Sequence, residues 1–281
     1  MTGTTTTEQR PEPAAADHPV VPAPPATAPR ARSPRWRSVA LWAAAALVCG
    51  GAGTGTALGI TGLERTDVPG LGTASDGRWD YPELSLPALP VGVQRPFTEG
   101  NLGEVHHADL RDLVLPAPRG AEPDEALDGG FVPVDRYLAE FQEDEREELR
   151  QKLLDLGLRH VAARGWAMPD GTRTRVYLLR FPSVGHADTF RSDGLVTGAA
   201  LGARLADGPE SELDVDYDAT RKVTGTTTLV YQEPKPHGQE QLRHGHVLAG
   251  DTLALVVHAR KGGVPAVPFH QSVVLQNQLL G

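Results

Sequence analysis

Residues 241–259 read QLRHGHVLAGDTLALVVHA, and this stretch decides the class of fold. Two runs rich in aliphatic residues flank Gly250-Asp251, which is a typical turn between antiparallel strands. Residues 159–168 and 172–181 repeat the arrangement around Pro169-Asp170-Gly171, where proline suits the first turn position and glycine supplies a positive φ. The sequence therefore predicts two β-hairpins.

Helical patterns follow the predicted strands. Residues 133–156 carry apolar side chains near helical spacing, and Gly157 follows as a C-terminal cap. The acidic run 143–148 interrupts this stripe, either as a solvated face or as a break into two shorter helices. A short helix capped by Ser183 and a last helix over residues 265–280 are also predicted.

Two further strands are predicted at Leu110–Leu115, which ends before Pro116, and at Thr224–Gln232. The resulting order of elements predicts an α+β fold, an antiparallel sheet with helices packed on it. We expect this fold to form one extracytoplasmic domain, residues 104–281.

The first 37 residues are predicted to form a disordered tail. They contain a threonine run, eight prolines between Pro11 and Pro34, and almost no branched aliphatic residues. Such a composition cannot bury enough apolar surface to offset the loss of chain entropy.

Residues 38–60 are predicted to form a transmembrane helix. Arginines at positions 30, 32, 35 and 37 precede them, and the next charge, Glu64, follows 26 uncharged residues. A helix over residues 39–60 would span about 33 Å, enough for a hydrocarbon core of about 30 Å. A cleaved signal peptide would have a shorter charged region and a shorter apolar core, and a buried soluble helix is the other alternative.

The charge distribution predicts the orientation in the plasma membrane. The positive-inside rule places the four arginines in the cytoplasm and everything after about residue 61 outside. The whole chain has 27 Lys and Arg against 36 Asp and Glu, a net charge of −9, which disfavours nucleic acid as a partner. Its one cysteine, Cys49, lies within the predicted span, so no disulfide and no cysteine-only zinc site can form outside.

Gly51, Gly55 and Gly59 fall at every fourth position of the predicted span. The two overlapping G-x-x-x-G motifs would allow two helix backbones to approach closely, which is typical of a transmembrane homodimer. Glycine is also common in membrane helices generally, so a dimer and a plain single span both stay open.

Residues 61–103 are predicted to be an extracytoplasmic stalk rich in proline and glycine. Prolines at 82, 87 and 90 disfavour a helix and a central strand, so we expect an extended and exposed chain. Its leucines at 84, 86 and 89 are expected to touch the domain that follows.

Several short motifs carry a resemblance to known proteins. They are HADLRDL at 107–113, LPAP at 115–118, RHVAARGW at 159–166, MPDGT at 168–172 and RKGG at 260–263. In these motifs the chain resembles a group of uncharacterised single-pass cell-envelope membrane proteins of streptomycetes and related high-GC actinobacteria. The resemblance covers about residues 36–281. It implies a cell-envelope location and, because the group has no assigned activity, no catalytic residue.

His244 and His246 alternate on a predicted strand, so their rings would point to one face and could share a metal ion. A third ligand would be His258 on the next strand or His237 in the preceding loop. A two-residue turn at Gly250-Asp251 would place His258 on the opposite face, whereas a three-residue turn would place it on the same face. The alternative is a set of half-exposed strand histidines without a metal.

Acidic residues occupy every second position from Glu210 to Asp218 and begin like a calcium loop. Ala219 and Gly225 stand where that loop needs glycine and glutamate, so a solvated sheet edge is the better interpretation.

Arg260, Lys261, Gly262 and Gly263 precede the last helix and could hold an anion, although a plain hairpin-to-helix connection needs glycines as well.

Trp166 is predicted to be a buried sheet residue that covers the long helix, packing on Tyr137, Leu138, Phe141, Leu149 and Leu153. The alternative is an exposed aromatic anchor for a partner.

The sequence has no G-x-x-x-x-G-K-[ST], H-E-x-x-H or G-x-S-x-G motif, and we predict no cofactor and no catalytic residue. The expected function is a membrane-anchored extracytoplasmic binding, sensor or adaptor module of the cell envelope. Two alternatives are a metal-dependent envelope enzyme that uses the His244/His246 region and a structural subunit of a membrane complex.

Overall fold

The structure is a computed structural model of the 281-residue chain. It describes residues 39–48, 75–197, 200–218, 220 and 223–281. By its contacts the chain divides into two units, Met1–Gly72 and Thr73–Gly281.

In the first unit the described residues 39–48 form a helix, α1. Among the residues that the structure describes, no helix is both long and apolar enough to cross a membrane. The rest of the predicted span, with Gly51, Gly55 and Gly59, lies outside the described residues, as do the predicted tail and the first part of the predicted stalk.

The second unit is an antiparallel seven-stranded sheet with helices, as the sequence predicts. The strands are β1 (Glu122–Phe131), β2 (His160–Ala167), β3 (Arg173–Arg180), β4 (Val196–Thr197), β5 (Ala200–Leu201), β6 (Glu212–Leu213), β7 (Thr226–Gln232), β8 (Glu240–Ala249) and β9 (Thr252–Lys261). The sheet has the order β1-β2-β3-β9-β8-β7-β6, and β4 pairs with β5 separately.

The helices of this unit are α2 (Val134–Leu138), α3 (Arg146–Asp155), α4 (Val184–Phe190) and α5 (Ala266–Leu280). Short 3-10 helices lie at Leu110–Leu113 and Glu143–Glu145, and a π-helical turn lies at Arg191–Leu195.

Both predicted hairpins are present and form the centre of the sheet. Strands β2 and β3 join through a turn in which Gly171 has a φ of 84°, and β8 and β9 join through Gly250-Asp251 with Ala249 opposite Thr252. Because the second turn has two residues, Arg243 lies opposite His258.

The predicted helix over 133–156 is broken into α2 and α3. Between them Phe141 pairs with Leu205 in an isolated bridge, and the Gln142 amide donates to the Arg204 carbonyl at 3.0 Å. The acidic run does not continue the helix, because its first three residues form a separate 3-10 turn. The second of the two alternatives is therefore confirmed, and Gly157 follows α3 with a φ of 69°.

Three local predictions differ from the structure. Leu110–Leu113 is a 3-10 helix and not a strand, because the Asp109 carboxylate accepts the Arg111 amide and caps a turn. Strand β1 was not predicted, because its residues are mainly acidic or glycine and show no alternation of apolar and polar side chains. Its pairing with β2 is irregular as well. Ser183 does precede α4, but its hydroxyl bonds to the His186 ring and caps no amide.

The two faces of the sheet are covered differently. Helices α2, α3 and α4 pack on one side, which we call the helix face. On the other side, the strap face, lie α5 and a segment without regular secondary structure, residues 75–109, which we call the strap.

The strap occupies the described part of the predicted stalk, and it packs on the domain instead of extending from it. The side-chain amide of Gln271 on α5 accepts from the Trp79 amide at 2.8 Å and donates to the Trp79 carbonyl at 2.9 Å. The Tyr81 hydroxyl lies 2.8 Å from the Ser272 hydroxyl. The compact unit accordingly begins at Thr73 and not at residue 104.

The end of the strap is attached to the β8–β9 turn and to the last turn of α5. The buried His106 ring lies 2.7 Å from the Asp251 carboxylate through Nδ1 and 2.7 Å from the Leu280 carbonyl through Nε2. Three segments that are distant in sequence therefore meet at one imidazole.

Trp166 is buried, with 2% of its surface exposed, as the structural interpretation predicts. Its predicted partners are wrong, because the residues of α2 and α3 lie on the helix face and Trp166 points to the strap face. There Trp166 meets the Tyr81 ring edge-on at 6.4 Å.

Candidate functional site

The three candidate metal ligands do not come together. His244 and His246 lie on the helix face with ring centroids 5.5 Å apart, whereas His258 lies on the strap face, stacked on Trp79 at 5.0 Å. The two-residue turn causes this separation. No group of three His, Cys, Asp or Glu residues in the described part of the chain could hold a metal ion.

These histidines are not half-exposed either, since all three are buried. Burial lowers the pKa of His246 to about 4 and that of His258 to about 3, and it lowers the pKa of His244 well below its usual value. Neither ring nitrogen of His244 or His258 has a hydrogen-bond partner among the described residues. The rings therefore serve as neutral core residues, with His244 stacked on Tyr231 at 5.0 Å.

The predicted anion site at residues 260–263 forms the connection from β9 to α5. The Arg260 guanidinium donates to the Asp170 carbonyl at 3.1 Å and is thus engaged by the neighbouring hairpin turn. Gly262 and Gly263 have φ values of 77° and 113°, which the tight connection requires. Lys261 is exposed at the opening of a polar cavity of about 380 Å³, beside the ion pair of Arg173 and Glu240.

Within the described residues of the acidic stretch before β7, no group of carboxylates is placed to hold a calcium ion. Asp214 is buried, and its Oδ2 accepts from Arg243 Nη1 at 2.5 Å and from His270 Nε2 at 2.8 Å. Its carboxylate is thus already occupied by two basic side chains. Strand β6, at Glu212–Leu213, forms the edge of the sheet, as the solvated-edge interpretation expects.

A second cavity, of about 330 Å³, lies where β1 ends, β2 begins and α3 crosses them, and we call it the α3 cleft. It is lined by Phe131, Val132, Val134, Arg150, Leu153, Leu154, Leu158, Arg159, His160 and Val161. Its volume is at the lower end of the range of about 300–1,000 Å³ for small-molecule sites, and most of its lining is apolar.

Two large apolar side chains are exposed at the α3 cleft. Leu154 on α3 is 67% exposed, and Phe131 at the end of β1 is 49% exposed. The Phe131 ring lies 4.9 Å from the His160 ring on one side, and the Arg111 guanidinium lies 4.9 Å from its centroid. Exposed apolar groups around a concave site are typical of binding surfaces.

Two arginines of the α3 cleft differ in their partners. Arg150 is paired with Asp135 at 2.5 Å and lies 3.6 Å from Glu147. The exposed Arg159 side chain forms no hydrogen bond and no ion pair with the residues that the structure describes. The partly buried Arg180 lies near enough to be repelled by this charge. Burial is the main cause that lowers the pKa of Arg180, and the repulsion by Arg159 lowers it further. The rim near Arg159 is therefore positive and lacks a counter-charge from the described residues.

The sequence alone did not predict this cleft. It placed Arg159 and His160 at the start of a hairpin strand, which is correct, but Phe131 reaches them only through the unpredicted pairing of β1 with β2. Leu154 was the signal that could have indicated the cleft, because it is an apolar residue on an otherwise polar face of α3.

No family model and no curated protein matches the chain. Among solved structures, the chain is similar to the extracellular domain of PknH from Mycobacterium tuberculosis. The similarity covers 60% of this chain and 94% of that chain, with 10% sequence identity and a TM-score of 0.37.

Proposed function

We propose that the protein is a membrane-anchored, extracytoplasmic binding module of the cell envelope that takes a small ligand in the α3 cleft. One observation carries the proposal: an open cavity of about 330 Å³ that is lined mostly by apolar residues and by an arginine without a partner among the described residues. A folded domain that has such a site and no assembled set of catalytic groups in its described part suits recognition better than chemistry.

The proposed anchor is the segment 38–60, with the N-terminus in the cytoplasm and the folded unit outside. The four arginines from Arg30 to Arg37 and the uncharged run after them support this orientation. Protease added to intact protoplasts should remove the chain after about residue 61 and leave the tail. A protected C-terminal unit would contradict the topology.

The glycine stripe of Gly51, Gly55 and Gly59 supports a homodimer through the span. Blue-native electrophoresis in mild detergent should show a dimer that Gly55→Ile converts to a monomer. A chain that migrates as a monomer before substitution would contradict the homodimer.

A metal-dependent enzyme has no comparable support, since His258 lies on the other face of the sheet from His244 and His246. We therefore do not extend the proposal to catalysis.

The binding function can be tested with the full chain purified from membranes. A small molecule that copurifies with the chain should be released on denaturation and detected by mass spectrometry. It should be lost from Leu154→Asp, which places a charge in the cleft, and retained by Leu102→Asp, an equally drastic change at an exposed leucine outside the cleft. The same ligand content in both variants would contradict a role for the cleft.

A further inference from the structure

Most side chains that line the α3 cleft have no hydrogen-bond donors or acceptors. The apolar ones are Phe131, Val132, Val134, Leu153, Leu154, Leu158 and Val161, whereas Arg150, Arg159 and His160 supply polar groups. A sugar or a peptide backbone placed against the apolar side chains would lose hydrogen bonds to water without replacement, which costs free energy. An aliphatic or aromatic group fits these walls.

The rim of the α3 cleft sets the charge of the ligand. Arg150, one of the two arginines at the rim, is paired with the carboxylates of Asp135 and Glu147. Of the two arginines in the α3 cleft, Arg159 is the one without an acidic partner among the described residues. A guanidinium binds a carboxylate through two parallel hydrogen bonds, so a carboxylate is the group that complements Arg159.

We propose that the α3 cleft binds one amphiphilic monocarboxylate, a short acyl chain whose carboxylate pairs with Arg159 and whose chain lies between α3 and the end of β1. The inference rests on the proposed binding function and adds the chemical class of the ligand. Phe131 and Leu154 extend the apolar surface from the inner walls to the solvent, which gives the chain a continuous path.

The experiment uses the full chain and two photoreactive probes. One is decanoic acid with a diazirine in its chain, and the other is the matching alcohol. After irradiation, digestion and mass spectrometry identify the peptides that carry the label. We expect the acid to label the segments 131–134 and 150–161, and excess decanoate to reduce that labelling.

Substitutions distinguish the charge from the apolar walls. Arg159→Gln should weaken labelling by the acid about threefold or more, because a charge-assisted pair is lost, and should leave labelling by the alcohol unchanged. Lys235→Gln is the matched control, since Lys235 is an exposed cation in a loop outside the cleft. Equal melting temperatures of both variants and the parent would verify that the fold is intact.

Two failures can be told apart. If the acid and the alcohol label the cleft equally and Arg159→Gln changes neither, the ligand class is wrong while the binding function stands. If neither probe labels the cleft, and the chain purified from membranes holds no small molecule, both proposals are overturned.

Discussion

The helix face and the strap face of the same sheet are covered by different kinds of structure. On the helix face, α2, α3 and α4 present apolar side chains at regular intervals to β2, β3, β8 and β9. On the strap face, α5 is the one α-helix among the described residues, and the remaining cover consists mainly of the strap, which has neither helix nor strand, and of residues 110–115, which begin with a 3-10 turn. Both faces are nevertheless fully buried at their centres, which shows that an irregular segment can close a sheet as completely as helices do.

Side chains of α5 satisfy backbone groups of the strap and of residues 113–115, which follow it. Gln271 pairs with both backbone groups of Trp79, and Gln276 accepts from the Leu115 amide and donates to the Leu113 carbonyl, each at 2.9 Å. Two glutamine side chains thus replace the neighbouring strand that a regular segment would have. Buried backbone groups need such partners, since leaving one unpaired costs about 1–3 kcal/mol.

The largest expected effect concerns the centre of the strap face. Trp166→Ala should lower the free energy of unfolding by about 3–5 kcal/mol, because it removes a large buried side chain and leaves a cavity under Tyr81. The urea midpoint, followed by circular dichroism, measures the change. Leu102→Ala is the control, since Leu102 is 95% exposed and should not shift the midpoint. A shift near zero for Trp166→Ala would mean that the strap does not cover the tryptophan.

Acid should destabilise both faces through their buried histidines. The pKa of His258 under the strap and that of His246 on the helix face lie below the unfolded value of about 6.5. Below pH 6.5 the unfolded chain therefore binds protons that the native chain does not, and stability falls as the pH drops towards about 4.

Each histidine can contribute roughly 1 kcal/mol per pH unit, or about 2 kcal/mol between pH 6.5 and 4.5. His258→Phe should therefore flatten the dependence of the unfolding free energy on pH, measured by urea denaturation at several pH values. Leu102→Phe, which adds a ring at an exposed position without removing a titratable group, should leave the dependence unchanged. Parallel curves for His258→Phe and the parent would show that His258 is not buried in the neutral form.

The smallest effect concerns one hydrogen bond between the strap and α5. The Ser272 hydroxyl donates to the Pro268 carbonyl at 2.8 Å, so the Tyr81 hydroxyl donates to Ser272. Tyr81→Phe should cost about 1 kcal/mol of stability. A double-mutant cycle with Ser272→Ala measures the coupling, and additive effects would indicate that the two hydroxyls do not interact.

Sequence patterns predicted the features that repeat and missed those that depend on distant contacts. The hairpins have an alternation that is visible over ten residues, and their turns contain the expected glycines. Trp79 and Gln271 are separated by 192 positions, and no period links them. Prolines at 82, 87 and 90 correctly excluded helix and strand for this segment, but an irregular chain need not be an exposed one.

The candidate sites follow the same division. The sequence predicted that the length of the β8–β9 turn determines the face on which His258 lies. The observed register, with Arg243 opposite His258, places it on the face opposite to His244 and His246. It could not predict the α3 cleft, because the bulged and acidic β1 does not look like a strand, and only its pairing with β2 brings Phe131 to His160.

The central claim is that the strap is an integral part of the folded unit. Amide hydrogen exchange in the full chain tests it without any substitution. The Trp79 and His106 amides, which donate to Gln271 and Asp251, should be protected over times comparable to those of the amides of β9. Exchange of both amides at the rate of an unfolded peptide, while β9 stays protected, would contradict the account.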